Sequence, residues 1–114
     1  MSLCAARGEV WYVDFGQTVG HEQAGLRPVV VVSVDLFNES PAEMIVIVPI
    51  TSHRRGIVLH VPTEPPEGGT TRPSVIMCDN VRAVSKERLV RRLGAVSSHT
   101  LAEVEDRLRV LLGL

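Results

Sequence analysis

The sequence is poor in cysteine, lysine and aromatic residues. Its 114 residues include two cysteines, one lysine and only 4% Phe, Trp and Tyr. Cys4 and Cys78 are far apart and form no C-x-x-C pair, which argues against a disulfide scaffold and a cysteine zinc site and fits a reducing cytoplasm. The four histidines are scattered, without the spacing of metal ligands. We therefore expect neither a metal nor a cofactor.

Long apolar runs and several well-known catalytic motifs are also missing. No apolar stretch approaches the length of a bilayer span, and the N-terminus has no apolar signal-peptide region, so we expect a cytoplasmic protein without membrane contact. The sequence contains no glycine-rich nucleotide loop, no H-E-x-x-H and no G-x-S-x-G. It therefore does not indicate an NTPase, a zinc protease or an α/β-hydrolase. The net charge of −1 neither favours nor excludes binding to nucleic acid.

The sequence does contain a series of short β-branched segments separated by turn-forming ones. Alternation predicts five strands, over 9–15, 27–34, 43–52, 56–62 and 74–84. The intervening segments are rich in Gly, Pro, Asn or Ser and are predicted loops: 16–26, 35–42 and 63–73. Short strands interrupted this often predict a mostly β domain over 1–114, folded as a small barrel or a strongly curved sheet. We expect residues 1–6 to be disordered or foreign to the natural protein.

The C-terminal segment has a helical period instead. Leu101, Val104 and Leu108 recur at intervals of three and four, with charged residues elsewhere on the wheel. The preceding "SSHT" offers several N-caps, and Thr100 with Glu103 has the spacing of a capping box. We predict an amphipathic helix that packs on the β domain.

The stretch "EQAGLRPVVVVS" at 22–33 places an acid and an arginine at the mouth of an apolar strand. Pro28 suits the start of a strand and pushes Arg27 toward an extended conformation at the rim. Nearby glycines let the loop bring Glu22 beside Arg27. One interpretation is a surface salt bridge worth about 0–1 kcal/mol, and the other is a functional site.

A second polar group follows the apolar strand "MIVIVPI". Thr51 and His53 are two residues apart and share a face if the strand continues. Each polar residue here also has a structural reading, as a strand residue, a turn hydroxyl or a solvated histidine. A rigid strand that ends in polar groups is nevertheless the usual way to deliver them to a site.

Four stretches, "RGEVWYVDFGQTVGHEQAGLRPVVVVS", "IVPITS", "SVIMCDNVRAVSKERL" and "LAEVEDRLRVLLGL", resemble the MazF/PemK family of toxin endoribonucleases in order and spacing. The resemblance runs from about residue 7 to about residue 112. It implies an SH3-like barrel with a C-terminal helix. It also implies a homodimer that cleaves single-stranded RNA and is silenced by a MazE-like antitoxin.

The resemblance also implies residue roles. Arg27 and Thr51 match the family's catalytic arginine and threonine, and Glu22 matches an important acid in the first loop. Asp79 and Asn80 fall where the family carries variable polar residues. "SHRRG" is more basic here than in many members, so His53 is a departure that affects either cleavage preference or proton transfer.

Such an enzyme cleaves RNA by attack of the 2′-hydroxyl on the adjacent phosphorus, which gives a 2′,3′-cyclic phosphate and a 5′-hydroxyl without a metal. An arginine fork suits the charge that develops in the transition state, whereas a guanidinium is a poor base. The general base is left open among Glu22, His53 and the Thr51 hydroxyl. The residues predicted to bind RNA are Ser52, His53, Arg54, Arg55 and Arg82.

Three alternatives stand beside this reading. Trp11 and Tyr12 either stack on bases or belong to the core or an interface, the latter being commoner for strand aromatics. The protein as a whole could instead be a non-enzymatic toxin that binds DNA gyrase, like CcdB. It could also be a family member that has lost nuclease activity.

Overall fold

The computed structural model describes residues 4–16 and 25–114. This part of the chain forms seven β-strands and two α-helices. The strands are β1 (Glu9–Asp14), β2 (Leu26–Val31), β3 (Met44–Thr51), β4 (His60–Thr63), β5 (Ser74–Met77), β6 (Arg82–Ser85) and β7 (Leu89–Ala95). The helices are α1 (Asp35–Asn38) and α2 (Ser98–Leu112), with short 3-10 helices at Glu67–Gly69, Cys78–Asn80 and Lys86–Arg88.

The strands form one antiparallel sheet in the order β4-β5-β3-β2-β1-β7, and β6 also pairs with β3. β3 is the branch point, because residues 44–47 pair with β6 and residues 50–51 pair with β5. On the side away from β2, β3 thus changes partner along its length. The predicted mostly β fold with a C-terminal helix is confirmed, but over residues 4–16 and 25–114 no pairing between β4 and β7 closes the sheet.

The two faces of the sheet carry separate hydrophobic clusters. Along β2, Val29 and Val31 pack in one cluster and Val30 packs in the other, as the two-residue period of a strand requires. Helix α2 covers the second cluster through Val104, which is fully buried. Ala5 is buried in the first cluster and the Ala6 amide donates to Glu9, so these two residues are ordered parts of the domain, contrary to the expected disorder.

Several predicted elements need correction. The strand predicted over 74–84 is two strands, because the 3-10 helix Cys78–Asn80 interrupts it. Helix α1 lies within the loop predicted over 35–42. Strand β7 was not predicted because its pairing with β1 contains register shifts, which break the alternation that a regular strand shows.

The start of α2 lies at one of the N-caps predicted in "SSHT", but not at the capping box of Thr100 and Glu103. The N-cap is Ser97, whose Oγ accepts a hydrogen bond from the Thr100 amide at 3.1 Å, and Thr100 lies inside the helix. The Ser97 amide donates to Oε2 of Glu67 at 2.9 Å, which joins the helix to the Glu67–Gly69 turn. Burial raises the pKa of Glu67, but hydrogen bonds from Thr100 and Ser97 outweigh it and bring that pKa below its ordinary value.

Candidate active site

Arg27 and Thr51 come from neighbouring strands and lie at the same end of the sheet. Strands β2 and β3 are antiparallel, with Val29 opposite Pro49 and Val31 opposite Ile47. Extending this register by two residues puts Arg27 opposite Thr51. The two side chains that the sequence analysis selected from separate segments are therefore brought together.

Two clefts meet at this pair. The first, here called the tyrosine cleft, has a volume of about 350 Å³, and the second, the histidine cleft, one of about 390 Å³. Arg27 and Thr51 line both. The tyrosine cleft is completed by Tyr12, Pro28, Ile50, Ser52, Gly69, Thr70, Thr71, Arg72, Ser74 and Leu93. The histidine cleft is completed by His53, Arg55, Ile57, His60, Met77, Asp79 and Asn80.

The Thr51 hydroxyl is oriented by the backbone that follows it. The His53 amide donates a hydrogen bond to Oγ1 of Thr51 at 3.1 Å. Because this amide occupies a lone pair of the oxygen, the hydroxyl hydrogen is directed away from it. The threonine can thus donate a hydrogen bond to an oxygen bound in either cleft.

In the tyrosine cleft, the aromatic wall is Tyr12. The Arg91 guanidinium carbon lies 5.1 Å from the centroid of its ring, a cation–π contact that helps hold the ring in place. Trp11, in contrast, is only 6% exposed and donates its indole hydrogen to Oε1 of Glu9 at 3.2 Å. Trp11 is therefore a core residue, whereas Tyr12 lines the cleft.

The opposite wall of the tyrosine cleft begins at Gly69. This residue has a φ of 77°, and a Cβ added to it would lie 2.5 Å from the carbonyl oxygen of Leu93. Only glycine allows the turn to approach β7 so closely. The approach fixes the position of Thr70, Thr71 and Arg72 at the cleft.

The histidine cleft contains a buried histidine in contact with an aspartate. Nε2 of His60 lies 2.8 Å from Oδ1 of Asp79, and the side chains are 4% and 31% exposed. Cys78 precedes Asp79 and is buried; burial raises the pKa of its thiol to about 11, so it is not a nucleophile at neutral pH.

The residues predicted to bind RNA are distributed unevenly. Ser52 lines the tyrosine cleft, and His53 and Arg55 line the histidine cleft. Arg54 pairs with Glu64 at 2.8 Å, and the Arg82 guanidinium lies 5.1 Å from the Phe15 ring centroid; neither lines a cleft. Glu22 lies outside the described residues.

Sequence reasoning missed His60 and left Asp79 unassigned. The two residues are 19 positions apart and meet because β4 and β5 are paired, with His60 opposite Met77. A histidine inside the apolar segment "GIVLHVP" is the sequence signal that could have drawn attention to this position.

Hydrogen bonds to Glu9 connect β1 with its neighbours on the side of β1 away from Tyr12. Glu9 accepts hydrogen bonds from the Ala6 amide at 2.6 Å, from the Trp11 indole at 3.2 Å and from Arg92 Nε at 2.5 Å. Burial raises the pKa of Glu9, but these three donors outweigh it, and the pKa lies below its ordinary value. The carboxylate ties the chain before β1 to strand β7.

Within residues 4–16 and 25–114, no group of three or more His, Cys, Asp or Glu side chains is arranged to hold a metal ion. Nor does that part of the chain include a helix with the length and apolar content needed to cross a membrane.

Comparison with known proteins gives concordant matches. A family model described as "PemK-like, MazF-like toxin of type II toxin-antitoxin system" matches residues 6–112. The chain is 29% identical to endoribonuclease EndoA of Bacillus subtilis over 98% of this chain and 97% of that protein.

The fold is similar to that of MazF from Deinococcus radiodurans, with a TM-score of 0.86, 27% identity and coverage of 98% of this chain and 99% of that one. It is also similar to a mycobacterial endoribonuclease solved in complex with its cognate antitoxin, with a TM-score of 0.80, 28% identity and 96% coverage of both chains.

Proposed function

The chain belongs to the PemK-like, MazF-like toxin family of type II toxin–antitoxin systems, and on that premise we propose that it is an endoribonuclease that cleaves single-stranded RNA. Its similarity to endoribonuclease EndoA supports the reaction class. The single observation that carries the proposal is the position of Arg27 and Thr51, which line both clefts where these meet. A phosphate between two bound nucleotides would lie at this junction.

In the proposed reaction, the ribose 2′-hydroxyl attacks the adjacent phosphorus and the 5′ oxygen leaves. The bond that forms is 2′-O to P, and the bond that breaks is P to 5′-O. The 2′-hydroxyl gives its proton to a general base and the leaving 5′ oxygen takes up a proton, so the products are a 2′,3′-cyclic phosphate and a 5′-hydroxyl. DNA lacks the nucleophile and would not be cleaved. The protein's task is to orient the phosphate and stabilise its charge.

Arg27 would donate to the nonbridging phosphate oxygens. Its planar fork matches two such oxygens, and a donor placed where charge develops stabilises the transition state more than the ground state. Its place on a strand, beside Pro28 with its fixed φ, limits the reorganisation needed during the reaction.

Thr51 would donate a second hydrogen bond, to the phosphate or to the leaving 5′ oxygen. The His53 amide at Oγ1 already directs the hydroxyl hydrogen away from the backbone. We propose Glu22 as an acid that completes the site from the first loop, as the family resemblance implies.

The two clefts would bind the nucleotides on either side of the cleaved bond. Tyr12 offers a ring on which a base can stack, and such stacking accepts any base. His53 and Arg55 offer donors for the neighbouring phosphate in the histidine cleft. An extended single strand could occupy both clefts at once, whereas a duplex would hold its bases paired.

We also propose that a cognate antitoxin silences the enzyme and that the enzyme acts as a homodimer. The solved complex of the mycobacterial relative with its cognate antitoxin supports the first point. An acidic antitoxin segment could occupy the arginine-containing clefts and exclude RNA. Competition between such a segment and a 2′-deoxy-substituted RNA oligonucleotide would test this; simultaneous binding of both would contradict it.

The decisive experiment is digestion of a randomised RNA pool in EDTA, followed by sequencing of the new ends. We expect cleavage at a short preferred sequence, ends that carry a 2′,3′-cyclic phosphate, and no cleavage of DNA of the same sequence. Absence of any cleavage, or cleavage only when a divalent metal is added, would contradict the proposed mechanism. A gyrase supercoiling assay run in parallel tests the non-enzymatic alternative.

A further inference from the structure

The histidine cleft contains a side-chain pair that the proposed reaction does not use. His60 is 8% exposed and lies at the start of β4, next to the fully buried Val61. Its Nε2 lies 2.8 Å from Oδ1 of Asp79. Its other ring nitrogen, Nδ1, is buried and has no hydrogen-bond partner within the described part of the chain.

This arrangement determines which ring nitrogen carries the hydrogen. An ionised carboxylate only accepts hydrogen bonds, so Nε2 of His60 is the donor. In the neutral ring Nδ1 is then a buried acceptor without a partner, which is unfavourable, and an apolar residue would avoid this penalty. A purely structural requirement therefore does not explain the histidine, whereas its contact with Asp79 does.

The contact restrains a carboxylate that faces the cleft. Oδ1 of Asp79 accepts from His60 at 2.8 Å and from Nδ2 of Asn80 at 3.2 Å. Both donors use the same oxygen, and within the described residues no hydrogen bond is formed by Oδ2. Asp79 is partly exposed and lines the same cleft as Arg27 and Thr51. One oxygen is thus held by the protein, and among the described residues the other has no hydrogen-bond partner.

We propose that His60 is a positioning residue for RNA sequence recognition: it holds Asp79 so that Oδ2 accepts a hydrogen bond from an N–H of a nucleobase next to the cleaved bond. The inference rests on the function proposed above. Unpaired bases are recognised through hydrogen bonds to their edges, and a fixed carboxylate oxygen selects an edge that presents a donor. A carboxylate free to rotate would select less well, because it could also turn away.

The test uses three variants and a sequence readout. His60→Leu removes the donor, His60→Gln keeps an amide nitrogen close to the position of Nε2, and Asp79→Asn replaces the acceptor oxygen. Each is incubated with a randomised RNA pool, and nucleotide frequencies around the new ends are compared with those of the wild type. Asp106→Asn, an exposed aspartate on α2, is the matched control.

We expect His60→Leu and Asp79→Asn to weaken the base preference about tenfold at one and the same position, since a good base contact discriminates by roughly this factor. His60→Gln and Asp106→Asn should keep the wild-type preference. The double variant His60→Leu/Asp79→Asn should be no worse than Asp79→Asn, because both changes remove the same contact. Should His60→Leu fail to fold, His60→Asn takes its place, because its amide is too short to reach Asp79.

The proposal is overturned if loss of the His60 donor slows cleavage equally at all sequences, or if His60→Gln behaves like the variant without a donor. Failure of the wild type to cleave would instead contradict the proposed function. In that case the base preference is measured by sequencing the RNA that each variant binds from the same pool. The same changes in preference would support or overturn the role of His60.

Discussion

Among the residues that the structure describes, the tyrosine cleft and the histidine cleft share only Arg27 and Thr51. The first is lined by an aromatic ring, aliphatic side chains, an arginine, hydroxyls and a glycine-containing turn. The second contains two histidines, an arginine, an aspartate and an asparagine. The tyrosine cleft offers a stacking surface that accepts any base, while the histidine cleft offers fixed hydrogen-bond donors and acceptors.

The difference suggests a division of tasks within one small site. The shared residues would act on the phosphate, the tyrosine cleft would supply affinity, and the histidine cleft would supply selectivity. Substitutions in the three places should then change different measured quantities: rate, affinity and sequence preference.

The largest effect should come from the shared pair. Arg27→Ala should lower the single-turnover cleavage rate about 10² to 10³-fold, the usual result of losing one preorganised donor to a developing oxyanion. Arg27→Lys should recover only part of the rate, because an ammonium lacks the planar fork. Arg109→Ala, at an exposed position on α2, is the control. Full activity of Arg27→Ala would remove this residue from the mechanism.

The tyrosine cleft should affect affinity. Tyr12→Ala should weaken binding of a non-cleavable 2′-deoxy-substituted oligonucleotide about 5- to 150-fold, since stacking on an aromatic residue contributes about 1–3 kcal/mol per base. Tyr12→Phe should bind nearly as the wild type does. Fluorescence anisotropy measures both, and equal affinities for all three proteins would show that the ring does not contact RNA.

A smaller effect is expected from His53→Gln. His53 is exposed, and a single exposed contact to phosphate contributes about 0–1 kcal/mol, which corresponds to a loss of affinity of about fivefold at most. The shape of the pH–rate profile should not change. If one limb of the profile disappears, His53 transfers a proton in the reaction and is more than a phosphate contact.

The smallest effect on the site should come from Glu9→Gln, which tests the scaffold behind it. The pKa of Glu9 is lower in the folded protein than in an unfolded chain. Its contribution to stability is therefore present above the unfolded-state pKa and is lost as the pH falls through the folded-state pKa. At pH 7 the variant should be less stable by about 1 kcal/mol, the difference between hydrogen bonds to a charged and to a neutral acceptor.

Urea unfolding of both proteins at pH 7 and at pH 3 measures this difference. It should shrink at pH 3, while cleavage preference at pH 7 stays as in the wild type. A difference that is independent of pH would mean that packing, not the charge of Glu9, holds β1 and β7 together.

Much of the site could be predicted from local sequence. Arg27 precedes a proline and an apolar strand, and Thr51 ends another apolar strand, so both were expected at the rim. The separation of His53 and Arg55 from Arg54 and Arg82 was not predictable, because Arg54 pairs with Glu64 and Arg82 lies over Phe15. Such contacts depend on which segments meet in space.

The sequence by itself determined the mostly β character, the C-terminal helix and the polar residues at two strand ends, because side-chain period and turn residues act over a few neighbours. The tertiary structure decided that β3 pairs with β5 and β6 in turn, that β7 completes the sheet, and that His60 meets Asp79. These features follow from the choice of strand partners and from strand register. Both depend on contacts between residues distant in the chain, which no local pattern records.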